Sequence, residues 1–266
     1  MSRPGLRRAL ITAGGTREAV DDVRWLGNVA SGALPAAMAE ALLRRGWAVD
    51  YVHGADAIVP GVLRLELPLM AGSDAIEAAL AAQRHVALAR AAGLGHGRLR
   101  CTAVRSAADA AEAVERLCRG EQPQLVACAM AVADYSPRAH IGKIGSQLPA
   151  DTGDAPAWML PLYATEKVID RVRLAAPNCA LLGFKLLSDA DEAAHHEASS
   201  RLGQRAGADW IFSNDMRDYR ARRRCGTLRD AGGEPLLALD GGSGAEALGV
   251  LAEALVGAVL ERMPVR

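Results

Sequence analysis

Leu10-Ile11-Thr12-Ala13-Gly14-Gly15-Thr16-Arg17-Glu18 decides the fold class. An apolar, β-prone run stops at a glycine pair, and a helical stretch begins soon after, near Ser31-Gly32. A strand apolar on both faces, a glycine turn and an Ala/Leu-rich helix open a parallel sheet covered by helices. The same alternation repeats outward from this stretch. It predicts strands at Ala9–Ala13, Ala48–His53, Arg64–Leu67, Arg100–Val104, Leu125–Met130, Cys179–Phe184 and Asp209–Ser213. It predicts helices at Ser31–Arg45, Asp74–Ala92, Ala107–Arg119, Thr165–Ala175, Asp189–Ala206 and Gly244–Arg262. The fold class is therefore α/β, a mostly parallel sheet with helices on both faces. Beyond a basic run at Arg217–Arg224, Thr227–Arg229 and Pro235–Leu239 flank Asp230-Ala231-Gly232-Gly233 and predict a short C-terminal β-hairpin within 226–240. Residues 72–99 read as an insertion and Gln147–Pro156 as a polar flap.

Composition narrows the function. The 266 residues carry 31 basic and 31 acidic side chains, so there is no net charge to attract nucleic acid or an anionic membrane. The longest apolar run, Leu125–Ala133, falls far short of the roughly 20 residues that span a bilayer. Five cysteines at 101, 118, 128, 179 and 225 show neither a Cys-x-x-Cys pair nor a disulfide spacing. These features predict a cytoplasmic protein with no nucleic-acid or membrane partner, and the length allows one large α/β domain or two small ones. Only three of the 31 basic residues are lysines, Lys143, Lys167 and Lys185, so each of those positions invites a reason for a compact ammonium.

Active sites of such sheets gather at the carboxyl ends of strands, which points to the loops after Ala13, Met130, Phe184 and Ser213. Gly14-Gly15 lets the backbone approach a ligand and present N–H groups to phosphate oxygens. Thr16, Glu18 and Ala19 break the dinucleotide fingerprint, and the Walker spacing is missing. A plain strand-ending turn is the bland alternative. Ser31 or Gly32 can cap the next helix, with Pro35 in its first turn, and a helix N-terminus suits an anion. An ordinary capped helix fits those residues equally well, whereas Asn28 has no such bland role. His195-His196 reads as a solvated helix face, and Cys128 as core rather than nucleophile.

Several motifs in order resemble phosphopantothenate–cysteine ligase, also called phosphopantothenoylcysteine synthetase. They are Thr12-Ala-Gly-Gly-Thr-Arg-Glu18, Asp21-x-Val-Arg24, Asn28-x-x-Ser31-Gly32, Ala131-Val-Ala-Asp134-Tyr135-Ser-Pro137, Lys143-Ile-Gly-Ser146, Thr165-Glu-Lys167, Gly183-Phe184-Lys185-Leu-Leu187 and Ala208-Asp-Trp-Ile-Phe-Ser-Asn214-Asp215. The monofunctional bacterial branch is the nearest in pattern. The resemblance implies a single Rossmann-like domain over 1–266 that joins 4′-phosphopantothenate to cysteine in coenzyme A biosynthesis. The acid would attack the α-phosphate of CTP or ATP, and cysteine would then displace the nucleoside monophosphate from the acyl-nucleotide.

The resemblance also implies roles. Asn28 and Lys143 are the catalytic candidates. Nucleotide and substrate binding falls to Gly14, Gly15, Thr16, Arg17, Ser31, Gly32, Ala131, Asp134, Phe184, Lys185, Arg201 and Arg205. Mg2+ is expected to accompany CTP or ATP, with no protein metal ligand assigned, and no flavin is expected because the chain opens at the ligase's first strand. Family members are homodimers, with the late hairpin or nearby strands at the contact. Three departures stand out: Gly145-Ser146 where many members add lysines, Pro35 where glycine is usual, and Glu166 where proline is common. Two rivals follow. Tyr163-x-x-x-Lys167 fits a short-chain dehydrogenase, and the missing lysines fit a non-catalytic nucleotide-binding homologue.

Overall fold

The computed structural model describes residues 6–61, 98–145 and 159–264. β1 (Arg8–Ala13) runs between β4 (Ala48–Gly54) and β6 (Leu125–Cys128), parallel to both. Its side chains alternate between two cores: Ala9, Ile11 and Ala13 enter one and Leu10 the other. That two-sided burial explains why the strand reads as an unbroken apolar run. β5 (Leu99–Val104) flanks β4, while β9 (Ala180–Leu187) and β10 (Trp210–Asp215) extend the sheet beyond β6.

The six parallel strands, counted in chain order, lie 3-2-1-4-5-6 across the sheet. This is the doubly wound Rossmann order, and its reversal point lies between β1 and β6. The helix α1 (Ala33–Arg44) packs with α6 (Ala247–Arg262) over one face, burying Met38, Leu42, Leu255 and Val259. On the other face α2 (Ala107–Glu121) and α3 (Asp170–Ala175) bury Val114, Leu117 and Val172, with α4 (Glu192–Ala206) adding Leu202. Ser106 and Asp109 close a reciprocal capping box at the start of α2.

Three sequence expectations change. The hairpin is longer than 226–240: β11 (Arg223–Asp230) and β12 (Pro235–Ser243) pair antiparallel, and β11 adds directly to β10 in the main sheet. Its basic start disguised a strand, because Arg223 pairs with Asp240 across the hairpin. The helix expected from Thr165 begins only at Asp170. Before it, β8 (Leu162–Ala164) pairs with β7 (Tyr135–Pro137), and the Thr165 N–H and hydroxyl donate to the carbonyls of Asp134 and Ala133. Those bonds hold the chain off the helical path. His195 is no solvated residue: it is nearly buried, with Nδ1 3.2 Å from Ser213 Oγ and Nε2 3.5 Å from Asp215. The expected strand Arg64–Leu67, the helix Asp74–Ala92, the flap at 147–156 and nearly all of the 72–99 insertion lie outside the described residues.

Candidate active site

Gly14-Gly15-Thr16 leaves β1 at the reversal point and is stitched at once to the loop after β6. The Ala131 N–H donates to the Gly14 carbonyl (2.8 Å), and the Thr16 N–H donates to the Ala131 carbonyl (3.2 Å). Buried Thr16 accepts from the Ala133 N–H through Oγ1 (2.9 Å), and Thr12 Oγ1 accepts from the Met130 N–H (3.1 Å). Two β-turning loops thus behave as one rigid floor. Gly15 is obligatory there, because a Cβ would collide with the Asn28 carbonyl.

Asn28 closes the ring from above. Its Nδ2 donates to the same Ala131 carbonyl at 3.0 Å. The chain then turns through Ser31 to Gly32, whose φ of 69° suits glycine, and enters α1 beside Gly14. Ser31 Oγ accepts weakly from the Ala33 N–H (3.4 Å), and among the described residues no side chain satisfies the remaining first-turn donors of α1. Pro35, in that turn, removes one donor from the helix start. Arg17 sits in β2 (Arg17–Ala19), pairs with Asp56 and covers the Trp25 ring of β3 (Trp25–Gly27) at 4.2 Å.

Lys143 is exposed between Gly142 and Gly145, and no hydrogen bond or ion pair engages its ammonium among the described residues. Its loop is nevertheless fixed. Buried Asp21 accepts from the N–H groups of Val23 (3.0 Å), Arg24 (2.8 Å) and Ile144 (3.0 Å) and from the Arg24 guanidinium at 2.9 and 2.6 Å. Arg24 also donates to the Ile144 carbonyl at 2.6 Å. The sequence singled out neither Asp21 nor Arg24 as a site residue. An acid three residues before an arginine was the available signal, and its partner 123 positions away was not readable.

Phe184 lies in the carboxyl half of β9 against Phe212, with ring centroids 5.7 Å apart, and borders a cavity of about 150 Å³ with Thr12, Cys128, Met130, Asp134 and Lys167. Burial pushes the Cys128 thiol well above its usual range, which leaves it a wall of the cavity and not a nucleophile. Lys185 follows Phe184 on β9. Arg201 and Arg205 stand on the exposed side of α4, paired with Glu197 and Asp170, and neither lines this cavity. A larger concavity, about 970 Å³, opens at the opposite, amino-terminal edge of the sheet near Trp47 and Trp210 and is lined by none of the candidate catalytic or binding residues. Position at the strand carboxyl ends outweighs size in choosing between them.

The dehydrogenase pairing loses its geometry here. Tyr163 is in β8 under the Arg138 guanidinium at 4.5 Å, Lys167 pairs with Asp134, and the helix that would align the two starts beyond both. Among the described residues no group of three His, Cys, Asp or Glu could hold a metal. Cys101, Cys118, Cys128 and Cys225 are free thiols.

Two carboxylates tie this end of the fold to pH. Hydrogen bonds from the Arg24 side chain, then from the Ile144, Val23 and Arg24 N–H groups, hold Asp21 well below the ordinary carboxylate range. N–H groups of Ala190, Arg217 and Asp189 do the same for Asp215. A depressed folded pKa stabilises above the unfolded value and is lost as pH falls toward the folded one. Stability is therefore expected to hold from neutral pH down to about 4 and to fall below it, read as urea midpoints across a pH series.

Comparisons agree with the geometry. Residues 6–93 and 75–224 match the DNA/pantothenate metabolism flavoprotein C-terminal domain. The coenzyme A biosynthesis bifunctional protein CoaBC of Thermococcus kodakarensis is 24% identical over 213 residues, 80% of this chain, and the match spans 42% of that relative's length. The DNA/pantothenate metabolism flavoprotein from Streptococcus pneumoniae superposes with TM-score 0.67 at 21% identity, covering 96% of this chain and 97% of the other. A Cab2 mutant in complex with phosphopantothenate-cysteine gives TM-score 0.73 at 16% identity, with 97% and 86% covered. At these identities the superpositions speak for the fold.

Proposed function

The chain belongs to the family of the DNA/pantothenate metabolism flavoprotein C-terminal domain, and from that premise we propose that it is a phosphopantothenate–cysteine ligase of coenzyme A biosynthesis. One observation carries the proposal. Asn28, Gly14–Thr16 and Ala131–Ala133 are bonded into one floor at the strand-order reversal, with the charge of Lys143, which has no partner among the described residues, on a loop pinned beside Asp21. In this reading the carboxylate of 4′-phosphopantothenate attacks the α-phosphorus of CTP or ATP, forming an acyl-nucleotide and expelling pyrophosphate. The cysteine amine then attacks the acyl carbon, the C–O bond to the nucleotide breaks, and nucleoside monophosphate and one proton leave. No covalent bond to the protein is needed, so positioning and charge stabilisation supply the rate.

The residues divide accordingly. Gly14, Gly15, Thr16, Ser31 and Gly32 present backbone and hydroxyl groups to phosphate. Lys143 meets the charge that builds as pyrophosphate leaves. Asn28 holds the acyl-nucleotide, Ala131 and Asp134 border it, and Phe184 with Lys185 forms the base side. Arg17, Arg201 and Arg205 supply outer charge, released from exposed ion pairs worth about 0–1 kcal/mol each. Mg2+ would come with the nucleotide, held largely by phosphate oxygens and water.

Asp21 positions Lys143. In Asp21→Asn one of two accepting oxygens becomes a donor facing donors: at Oδ2 the Arg24 guanidinium and the Ile144 N–H are lost together, and at Oδ1 the Val23 and Arg24 N–H groups are. The variant is expected to stay folded and to lose about a hundredfold in kcat, the scale of a 1 Å misplacement, in steady-state kinetics beside a urea melt. The reaction path itself is tested with 18O in the pantothenate carboxylate. The label should pass to the nucleoside monophosphate, and unlabelled monophosphate would exclude the acyl-nucleotide.

A second copy is proposed to cover the small hairpins beside the site, where Trp25 (52% exposed), Tyr135 (58%) and Leu162 (47%) leave apolar surface in water. A sedimenting mass twice that of one chain is the corresponding reading. A cytoplasmic site of action goes with the ligase reading; no helix among the described residues is long and apolar enough to cross a membrane.

A further inference from the structure

Lys167 belongs to no step given above, yet it is one of only three lysines in the chain. The backbone fixes where it stands. Pairing of Tyr135 with Ala164 and the two Thr165 bonds to the 133–134 carbonyls hold the segment before it against the loop after β6. The Lys167 carbonyl then accepts from the Asp170 N–H, which starts α3. Its ammonium pairs with Asp134 on the rim of the cavity bordered by Phe184 and Thr12.

That pair does little for the fold. Its side chains are 38% and 68% exposed, and an ion pair so solvated adds little to stability. The pairing is readily exchanged for a stronger anion. A triphosphate carries several negative charges, and an ammonium offers three donors to its oxygens. The carboxylate set free is an acceptor without a partner, suited to the hydroxyl groups of a sugar.

Resting on the ligase reading, we infer that Lys167 is a nucleotide-binding residue held in reserve by Asp134: the incoming triphosphate takes the ammonium, and Asp134 turns to the ribose. The three lysines then surround one ligand. Lys167 recognises charge in the bound ground state, a role distinct from that of Lys143 in the departure of pyrophosphate.

The test compares Lys167→Gln and Lys167→Arg with the unaltered protein, titrating each with CTP, ATP and the nucleosides cytidine and adenosine by calorimetry. Lys167→Gln is expected to weaken the bound triphosphate about tenfold, to leave nucleoside affinity within twofold, and to raise the nucleotide KM without moving the phosphopantothenate KM. Lys167→Arg should recover most of the loss. Equal triphosphate affinity in the glutamine variant, or equal losses for triphosphate and nucleoside, would overturn the inference. Triphosphate binding by the unaltered protein without any pyrophosphate release would instead overturn the ligase reading and leave the Lys167 comparison intact.

Discussion

Lys143→Ala is expected to cut the pyrophosphate burst about 10²- to 10³-fold, the cost of removing one preorganised charge from a displacement that accumulates negative charge. The reasoning is local. Lys143 is exposed, its ammonium has no partner among the described residues, and its loop is anchored by the Ile144 bonds to Asp21 and Arg24 and by the His140 N–H on the Val20 carbonyl. Truncating it removes no packing, so stability should hold while the first half-reaction fails. Quench-flow with CTP or ATP and 4′-phosphopantothenate, cysteine omitted, isolates that half-reaction. An undiminished burst would remove Lys143 from the chemistry and leave it a surface residue.

Asn28→Asp is expected to lower turnover by a similar factor, with the loss in the second half-reaction. The Asn28 amide donates to the Ala131 carbonyl, the same oxygen that accepts from the Thr16 N–H. A carboxylate at that position has no proton to donate and sets a negative charge against a carbonyl and the nucleotide phosphate. The nucleotide floor would open on the side where the acyl-nucleotide must wait for cysteine. The expected result is a normal burst followed by accumulated acyl-nucleotide, seen by mass spectrometry of the quenched mixture. Turnover at the unaltered rate would take Asn28 out of the mechanism.

The centre of the sheet was legible because β1, β4 and β6 are buried on both faces and advertise themselves as apolar runs, and because Gly14-Gly15 punctuates the first of them. The two small hairpins were not. β2 with β3 and β7 with β8 are three-residue strands that bury little surface, so no periodicity marks them. Their pairing is imposed by tertiary bonds such as Thr165 to Asp134, which also shortened the helix expected at 165. His195 looked solvated because its polar partners, Ser213 and Asp215, lie on a strand some twenty residues away. The start of β11 was hidden in a basic run whose arginines find acids across the hairpin or stack on Tyr219. In the site, residue types at the ends of β1 and β6 could be named from sequence. The bonds that join them, and the Asp21 clamp on Lys143, required the fold.

Pyrophosphate release by the unaltered protein with Mg2+, given CTP and ATP separately, with and without 4′-phosphopantothenate and with cysteine left out, tests the ligase activity most directly. Release that needs 4′-phosphopantothenate and one of the nucleotides, at a burst near one per active site, is the predicted result. Folded protein that binds nucleotide yet releases no pyrophosphate with either one would contradict the ligase and leave a nucleotide-binding homologue without the reaction.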